Sequence, residues 1–89
     1  VIFDYDPNKE AENIEKHGMS FENVQYVEWE TAITKKDNRW DYGEDRYISY
    51  AYLGRRLHTI VWTCRDDLIR IISFRKSNKR ERSAYDKEN

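Results

Sequence analysis

Three β-forming runs stand in close succession near the middle and end of this chain: Arg46–Leu53, Arg56–Thr63 and Leu68–Phe74. Each is rich in Ile, Val, Tyr, Phe, Trp or Thr. Only Gly54-Arg55 separates the first two, and only the turn Arg65-Asp66-Asp67 leads into the third. Connections this short cannot carry a crossover, so consecutive runs must pair antiparallel as a meander. Everything else has to be arranged around that sheet. The whole chain, 89 residues, suits one domain, 1–89, with a thin core.

The front of the chain reads as a short strand and two helices. Residues 1–6 alternate weakly and suit an edge strand. Asp6 is an N-cap and Pro7 fits the first helical turn, where its missing N–H costs nothing. A helix over 8–17 follows, with Ala11, Ile14 and His17 on one face, and Gly18 ends it in the left-handed conformation. Ser20 caps a second helix whose apolar stripe is Phe21, Val24, Val27 and Trp29. The short link between the two predicts a helical hairpin. Thr31–Thr34 begins a further strand, and Lys36–Glu44 is a loop by composition. Asn78 caps a final helix that runs past Tyr85. The fold class expected is α+β: a small antiparallel sheet of the three-stranded meander plus one or two further strands, an N-terminal helical hairpin and a C-terminal helix, with the helices on one side of the sheet.

Composition excludes several functions. The lone Cys64 allows no intrachain disulfide, and at a strand end it reads as a small packing residue. His17, His58, Cys64 and the carboxylates lack metal-ligand spacing, so no metal and no cofactor are expected. The three glycines are isolated, which excludes a glycine-rich phosphate loop. His58, inside a strand, reads as structural. No apolar run approaches the length of a membrane span and no signal-peptide pattern opens the chain, so a cytoplasmic location is expected. The chain opens on Val1 rather than on methionine, which hints at a start upstream.

The net charge is −1, but its distribution is lopsided. Residues 1–30 carry two cations and eight anions; residues 69–82 carry six cations and Glu81 alone. Either these halves neutralise each other across the fold, or a basic surface is kept apart to hold phosphates. Arginine matches phosphate with a fixed fork of donors and stays charged at any working pH. Arg70 and Arg75 therefore suit a phosphate-holding, transition-state-stabilising role. Tyr85, His17, Glu81 and Lys76 are the available proton carriers, and Lys76, Lys79 and Arg80 suit steering of an RNA backbone. Metal-independent cleavage of RNA by its own 2′-OH needs only such groups. Five positions separate Arg70 from Arg75, so a regular strand turns them to opposite faces. They can share a site only if the strand ends or bulges between them.

Two segments resemble a known family. Phe3-Asp4-Tyr5-Asp6-Pro7, Lys9, Asn13, Lys16-His17-Gly18 and Ser20-Phe21-Glu22 are similar to the opening of the BrnT toxins. Arg70-Ile71-Ile72-Ser73-Phe74-Arg75-Lys76, with Glu81 and Tyr85, is similar to their ending. The resemblance spans nearly the whole chain. It implies a RelE-like fold and a ribonuclease toxin of a bacterial type II toxin–antitoxin pair, inhibiting translation. It also implies RNA as substrate and a BrnA-like ribbon-helix-helix antitoxin that binds operator DNA as partner. Catalytic roles carry over to Arg70, Arg75, Tyr85 and His17, with Lys76 and Glu81 next; Glu81 is a candidate acid or base. The chain departs from the family at Tyr5, where Trp is usual, at Phe74, where Ala is usual, and at Glu28-Trp29-Glu30, where Asp-Asp-Pro is usual. The competing readings are a non-catalytic nucleic-acid- or protein-binding module on the same basic surface, and an interaction domain whose contacts are Trp40 and Tyr42.

Overall fold

The computed structural model describes residues 3–88. Strand β1 (Phe3–Tyr5) leads into helix α1 (Pro7–His17) and a 3₁₀ helix (Phe21–Tyr26). Strands β2 (Glu28–Lys36), β3 (Arg46–Leu53), β4 (Arg56–Arg65) and β5 (Leu68–Lys76) follow, then helix α2 (Lys79–Glu88). The five strands form one sheet in the order β1-β5-β4-β3-β2. The meander runs antiparallel from β2 to β5, and β1 adds at the edge, parallel to β5. Val1 and Ile2, expected to begin the edge strand, lie outside the described residues.

The caps form as the residue types dictate. The Asp6 side chain accepts from the Asn8 N–H, Pro7 opens α1, and Gly18 closes it at φ 69° with its N–H bonded to the Ile14 carbonyl. Ser20 accepts from the Glu22 N–H, but the segment it starts is a six-residue 3₁₀ helix. Trp29 belongs to β2, so the second arm of the expected hairpin is shorter than its apolar stripe suggests. Asn78 and Glu81 form a reciprocal capping box, each backbone N–H donating to the other's side chain at 2.8 Å. Asp66 and Asp67 both have positive φ, 50° and 67°, as a two-residue turn matched to strand twist requires.

The main core lies on one face of the sheet. Phe21, Val24 and Val27 pack on Ala51, Ile60, Ile71 and Phe74, with Phe3, Trp29 and Trp62 at the margin. Helix α1 does not dock through the expected stripe. Ala11 and His17 are exposed and Ile14 is 46% exposed. The buried residue of α1 is Asn13. Its Nδ2 donates to the Phe74 carbonyl at 2.7 Å and to the Met19 carbonyl at 2.9 Å, and its Oδ1 accepts from the Phe74 N–H at 3.1 Å. Strand β1 has ended by then, its register stopping at Tyr5↔Ile71, so the Asn13 carboxamide continues the sheet where no strand remains. A helix can be held by one buried amide when the sheet edge supplies the matching donor and acceptor.

Helix α2 corrects the expectation that all helices share one side. Its buried Tyr85 meets Tyr52 edge-on at 5.6 Å and donates its hydroxyl to the Thr31 carbonyl at 2.6 Å. A bulge between Glu28 and Ile33 makes that carbonyl available. The Thr31 hydroxyl stabilises the bulge by donating to the Glu28 carbonyl and accepting from the Tyr52 N–H. Tyr50 and Tyr52 alternate with core-facing Ala51, so α2 covers the face opposite the main core. Cys64, read as a packing residue, is exposed.

Candidate functional site

The parity of β5 is broken by one residue. Ser73 pairs with Val61 and Ile71 with Trp62, which leaves Ile72 without a partner in the ladder. Residues on either side of such a bulge change their relation to the two faces. Arg70 then lies opposite Thr63 and Arg75 opposite Thr59, two residues of regular β4 that point the same way. Both arginines thus occupy the face that carries α2. Four strand steps of about 3.3 Å each keep them about 13 Å apart.

Their partners differ. Arg70 donates to Asp4 at 2.7 Å, its neighbour across the β1–β5 register. It lines a small recess with Asp6, Lys9, Glu44, Arg46 and Arg65, where cations and carboxylates alternate. For Arg70, neutralisation by the acidic front of the chain is what occurs. Arg75 is held instead by its own segment. Its two terminal nitrogens grip Glu81 Oε1 and Oε2 at 2.7 and 2.8 Å, a fork-to-fork pair. Glu81 also accepts from the Asn78 N–H and, at 3.2 Å, from the Thr59 hydroxyl, which exchanges a hydrogen bond with Ser77. Burial pushes the Glu81 carboxyl up, but Arg75, the Asn78 N–H and Thr59 hold it below the usual range. Glu81 is therefore an ionised brace near neutral pH. Its bonds raise the Arg75 guanidinium, a permanent cation.

Arg75 forms part of a cleft of about 380 Å³. Lys35, Lys36 and Arg39 contribute three more cations, and the carboxylates there are Asp37 and Glu81. Asn38, Tyr50, Ile48, Thr59 and Val61 complete the wall. The segment Lys36–Glu44, a loop by composition, supplies one wall of this cleft. The segment is built around buried Asp37. That carboxylate takes Arg39 Nε and Nη2 at 2.8 Å each and the Tyr42 hydroxyl at 3.0 Å. The bonds from Arg39 outweigh burial and hold Asp37 far below the usual carboxylate range. Arg46 closes the loop from the other side, its guanidinium 4.1 Å from the Tyr42 ring centre. Trp40 projects as an exposed large apolar side chain, 73% exposed. The signal available in the sequence was Lys35-Lys36 followed by Asp37 and Arg39, a local pairing that composition treats as solvated charge.

The other sequence candidates fall at different places. His17 ends α1, and its imidazole is held below the ordinary value by burial, then by the field of Arg75, then by Lys16. It lines a separate recess with Lys9, Glu12, Asn13, Lys16, Ile72 and Ser73 rather than the cleft of Arg75, and feels Arg75 only through its field. Tyr85 lies on α2, on the face that also presents Glu81, with its hydroxyl on Thr31. Arg80 lines the groove beside the cleft. Lys76 pairs with His58 on β4 and so points to the core side of the sheet rim, away from Arg75. Lys79 opens α2 as an exposed residue. His58 is buried against Phe74 with Nδ1 2.8 Å from the Arg56 carbonyl, as a structural histidine would be.

The fold and the cleft together define a small α+β domain with a cation-rich cleft beside its C-terminal helix. The chain belongs to the BrnT family: the model for "Ribonuclease toxin, BrnT, of type II toxin-antitoxin system" matches residues 5–81. That span includes Asn13, His17, strands β2 to β5 and Glu81, and it takes in only Tyr5 of β1. A search of curated proteins finds no match to this chain. Among the described residues, no helix is long and apolar enough to cross a membrane.

Proposed function

We propose that this BrnT-family chain cleaves RNA internally without a metal ion, and that the scissile phosphate sits in the cleft of Lys35, Arg39 and Arg75. The observation that carries the reading is the Arg75–Glu81 fork on the cleft wall. It presents an oriented guanidinium whose position is set before substrate arrives, the condition for stabilising charge that develops only in the transition state. The donor set supports metal independence. Both carboxylates of the cleft are already gripped by arginines through two nitrogens each, and the surrounding cations repel a divalent ion.

The chemistry follows from the groups present. The 2′-oxygen attacks phosphorus and its proton passes to His17, an exposed imidazole at the end of α1 whose pKa is held below the ordinary value. The bond from phosphorus to the 5′-oxygen breaks, and the Lys35 ammonium at the cleft returns a proton to that oxygen. Products end in a 2′,3′-cyclic phosphate and a 5′-hydroxyl. Arg75 and Arg39 bind the non-bridging oxygens. Arg70, on the same face, holds a phosphate further along the backbone, and Lys79 and Arg80 steer the strand. Tyr85 acts through α2, fixing Glu81 and thereby Arg75. The excess of cations along the cleft is what a protein inhibitor with an acidic segment would complement, so the antitoxin, of BrnA-like ribbon-helix-helix type, covers part of this face. The chain works in the cytoplasm, where RNA and translation are.

The purified protein, freed of antitoxin, should cut RNA in EDTA and leave cyclic-phosphate ends. Arg75→Ala should abolish cutting with an unchanged circular dichroism spectrum. A folded protein that binds RNA with steep salt dependence but never cuts it would replace the enzyme with a binding module.

A further inference from the structure

Beside the cationic cleft lies a second opening of about 260 Å³ between α2 and the sheet. The two share Lys35, Tyr50 and Glu81 as walls. Arg80, Glu81, Ala84, Tyr85 and Glu88 recur every three or four residues, so they form one helix face, turned toward Ile33 and Tyr50 of the sheet. Only Tyr85 of that face is buried. Where a larger residue would close the helix onto the sheet, Ala84 supplies a single methyl and stays exposed. The gap is mainly apolar, bounded by Ile33, Ala84 and the two tyrosines, with polar groups at its rim. The Lys35 ammonium stands over the Tyr50 ring, 5.5 Å from its centre.

We propose that this groove receives the base of the nucleotide next to the scissile phosphate, stacked on Tyr50 and covered by Ala84. The inference rests on the RNA-cleavage reading and extends it to how the substrate is positioned. An aromatic wall that directly adjoins a row of cations is the arrangement that grips single-stranded nucleic acid, with the backbone on the charges and the base on the ring. The apolar walls take the π-faces, while Arg80 donates, and Glu88 accepts, at the polar base edge. A base seated there fixes the sugar-phosphate turn over Arg75, so occupancy of the groove raises the rate at the neighbouring bond.

The test fills the groove. Ala84→Trp is compared with Ser83→Trp, which places the same ring at an exposed position outside the groove lining. Substrates are short oligonucleotides with one cleavable ribonucleotide, intact or abasic at the flanking position. For the wild type, loss of the base should lower kcat/KM about tenfold, the scale of one lost base–aromatic stack. Ala84→Trp should lower cleavage of the intact substrate by a similar factor and leave the abasic one unchanged; Ser83→Trp should alter neither. Equal losses on both substrates, or none, overturn the subsite while leaving cleavage itself standing. A non-cleavable 2′-O-methyl trinucleotide separates the two readings. It should shift the Ala84 and Ile33 methyl NMR signals, and its abasic form should not. Base-dependent shifts in a protein that cuts nothing would keep the subsite and remove the nuclease. No base-dependent shift, with antitoxin capture lost in Ala84→Trp, would assign the groove to the protein partner and overturn the proposal.

Discussion

Asn13→Ala tests whether one amide holds α1 to the sheet. The substitution removes both partners of the Phe74 backbone on the α1 side and one partner of Met19. Phe74 is fully buried, so water cannot replace the lost bonds without opening the core. A buried polar backbone group left unpaired costs about 1–3 kcal/mol. Two such groups, with some relief from relaxation, place the loss near 3 kcal/mol. A domain of this length holds only about 4–13 kcal/mol in total, taking 0.05–0.15 per residue. The melting temperature should fall by about 12–24 °C. Urea unfolding should show a lower midpoint at an unchanged slope, the mark of lost stability without a change in the exposed area. Glu12→Ala, one position away and exposed, should stay within about 0.5 kcal/mol. Asn13→Asp keeps the shape but points a carboxylate at two carbonyls. Its folded-state pKa must rise, so its deficit should shrink as pH drops through that raised value. A loss below about 1 kcal/mol for Asn13→Ala would refute the reasoning and return α1 docking to its few apolar contacts.

Four further outcomes follow from the site. Arg75→Lys should cut RNA cleavage at least about 100-fold, because an ammonium cannot reproduce the fork, and a fall in kcat rather than a rise in KM is the expected readout. Glu81→Gln should cost about 1–2 kcal/mol at pH 7, in line with charged hydrogen bonds that are mostly buried. Since the Glu81 carboxyl is depressed, its stabilisation is complete above the ordinary value near 4.5 and is lost as pH falls through the lower folded value. Urea titrations of the variant should therefore lack that acid limb. The His17 midpoint, followed by NMR, should lie below 6.5 and move upward in Arg75→Gln; a midpoint that ignores Arg75 would uncouple the two. Folded stability should accordingly rise with pH between the His17 midpoint and 6.5. Arg70→Ala should weaken RNA affinity and lower the salt slope by about one contact while kcat holds, since four strand steps put Arg70 about 13 Å from Arg75 and Asp4 holds its side chain at its own end of the strand.

The parts legible in advance were those decided within a few residues. Asp6, Pro7 and Gly18 mark the limits of α1 because capping is a local exchange of backbone and side-chain hydrogen bonds. The Asn78–Glu81 box is equally local. The meander could be read because turns of two residues leave no other way to pair the strands. The family, too, was legible from motifs at both ends, and the match over residues 5–81 bears the family out. Apolar periodicity failed on α1, where Ala11 and Ile14 face outward, because Asn13 is held by an edge that exists only once β1 has stopped.

The site itself depended on the tertiary structure. Whether Arg70 and Arg75 share a face turns on the unpaired Ile72, and a bulge is a property of two strands in register, invisible along one. Lys35, Arg39 and Tyr50 gain their meaning only when β2, β3 and the Asp37 loop fold against β5 and α2. The sequence alone determined the elements, their caps, the sheet and the chain's kinship. The tertiary structure decided how each cation is paired and where it stands: long-range pairing matched Arg70 with Asp4, 66 positions away, and bound Arg75 to its near neighbour Glu81 at the wall of an open cleft.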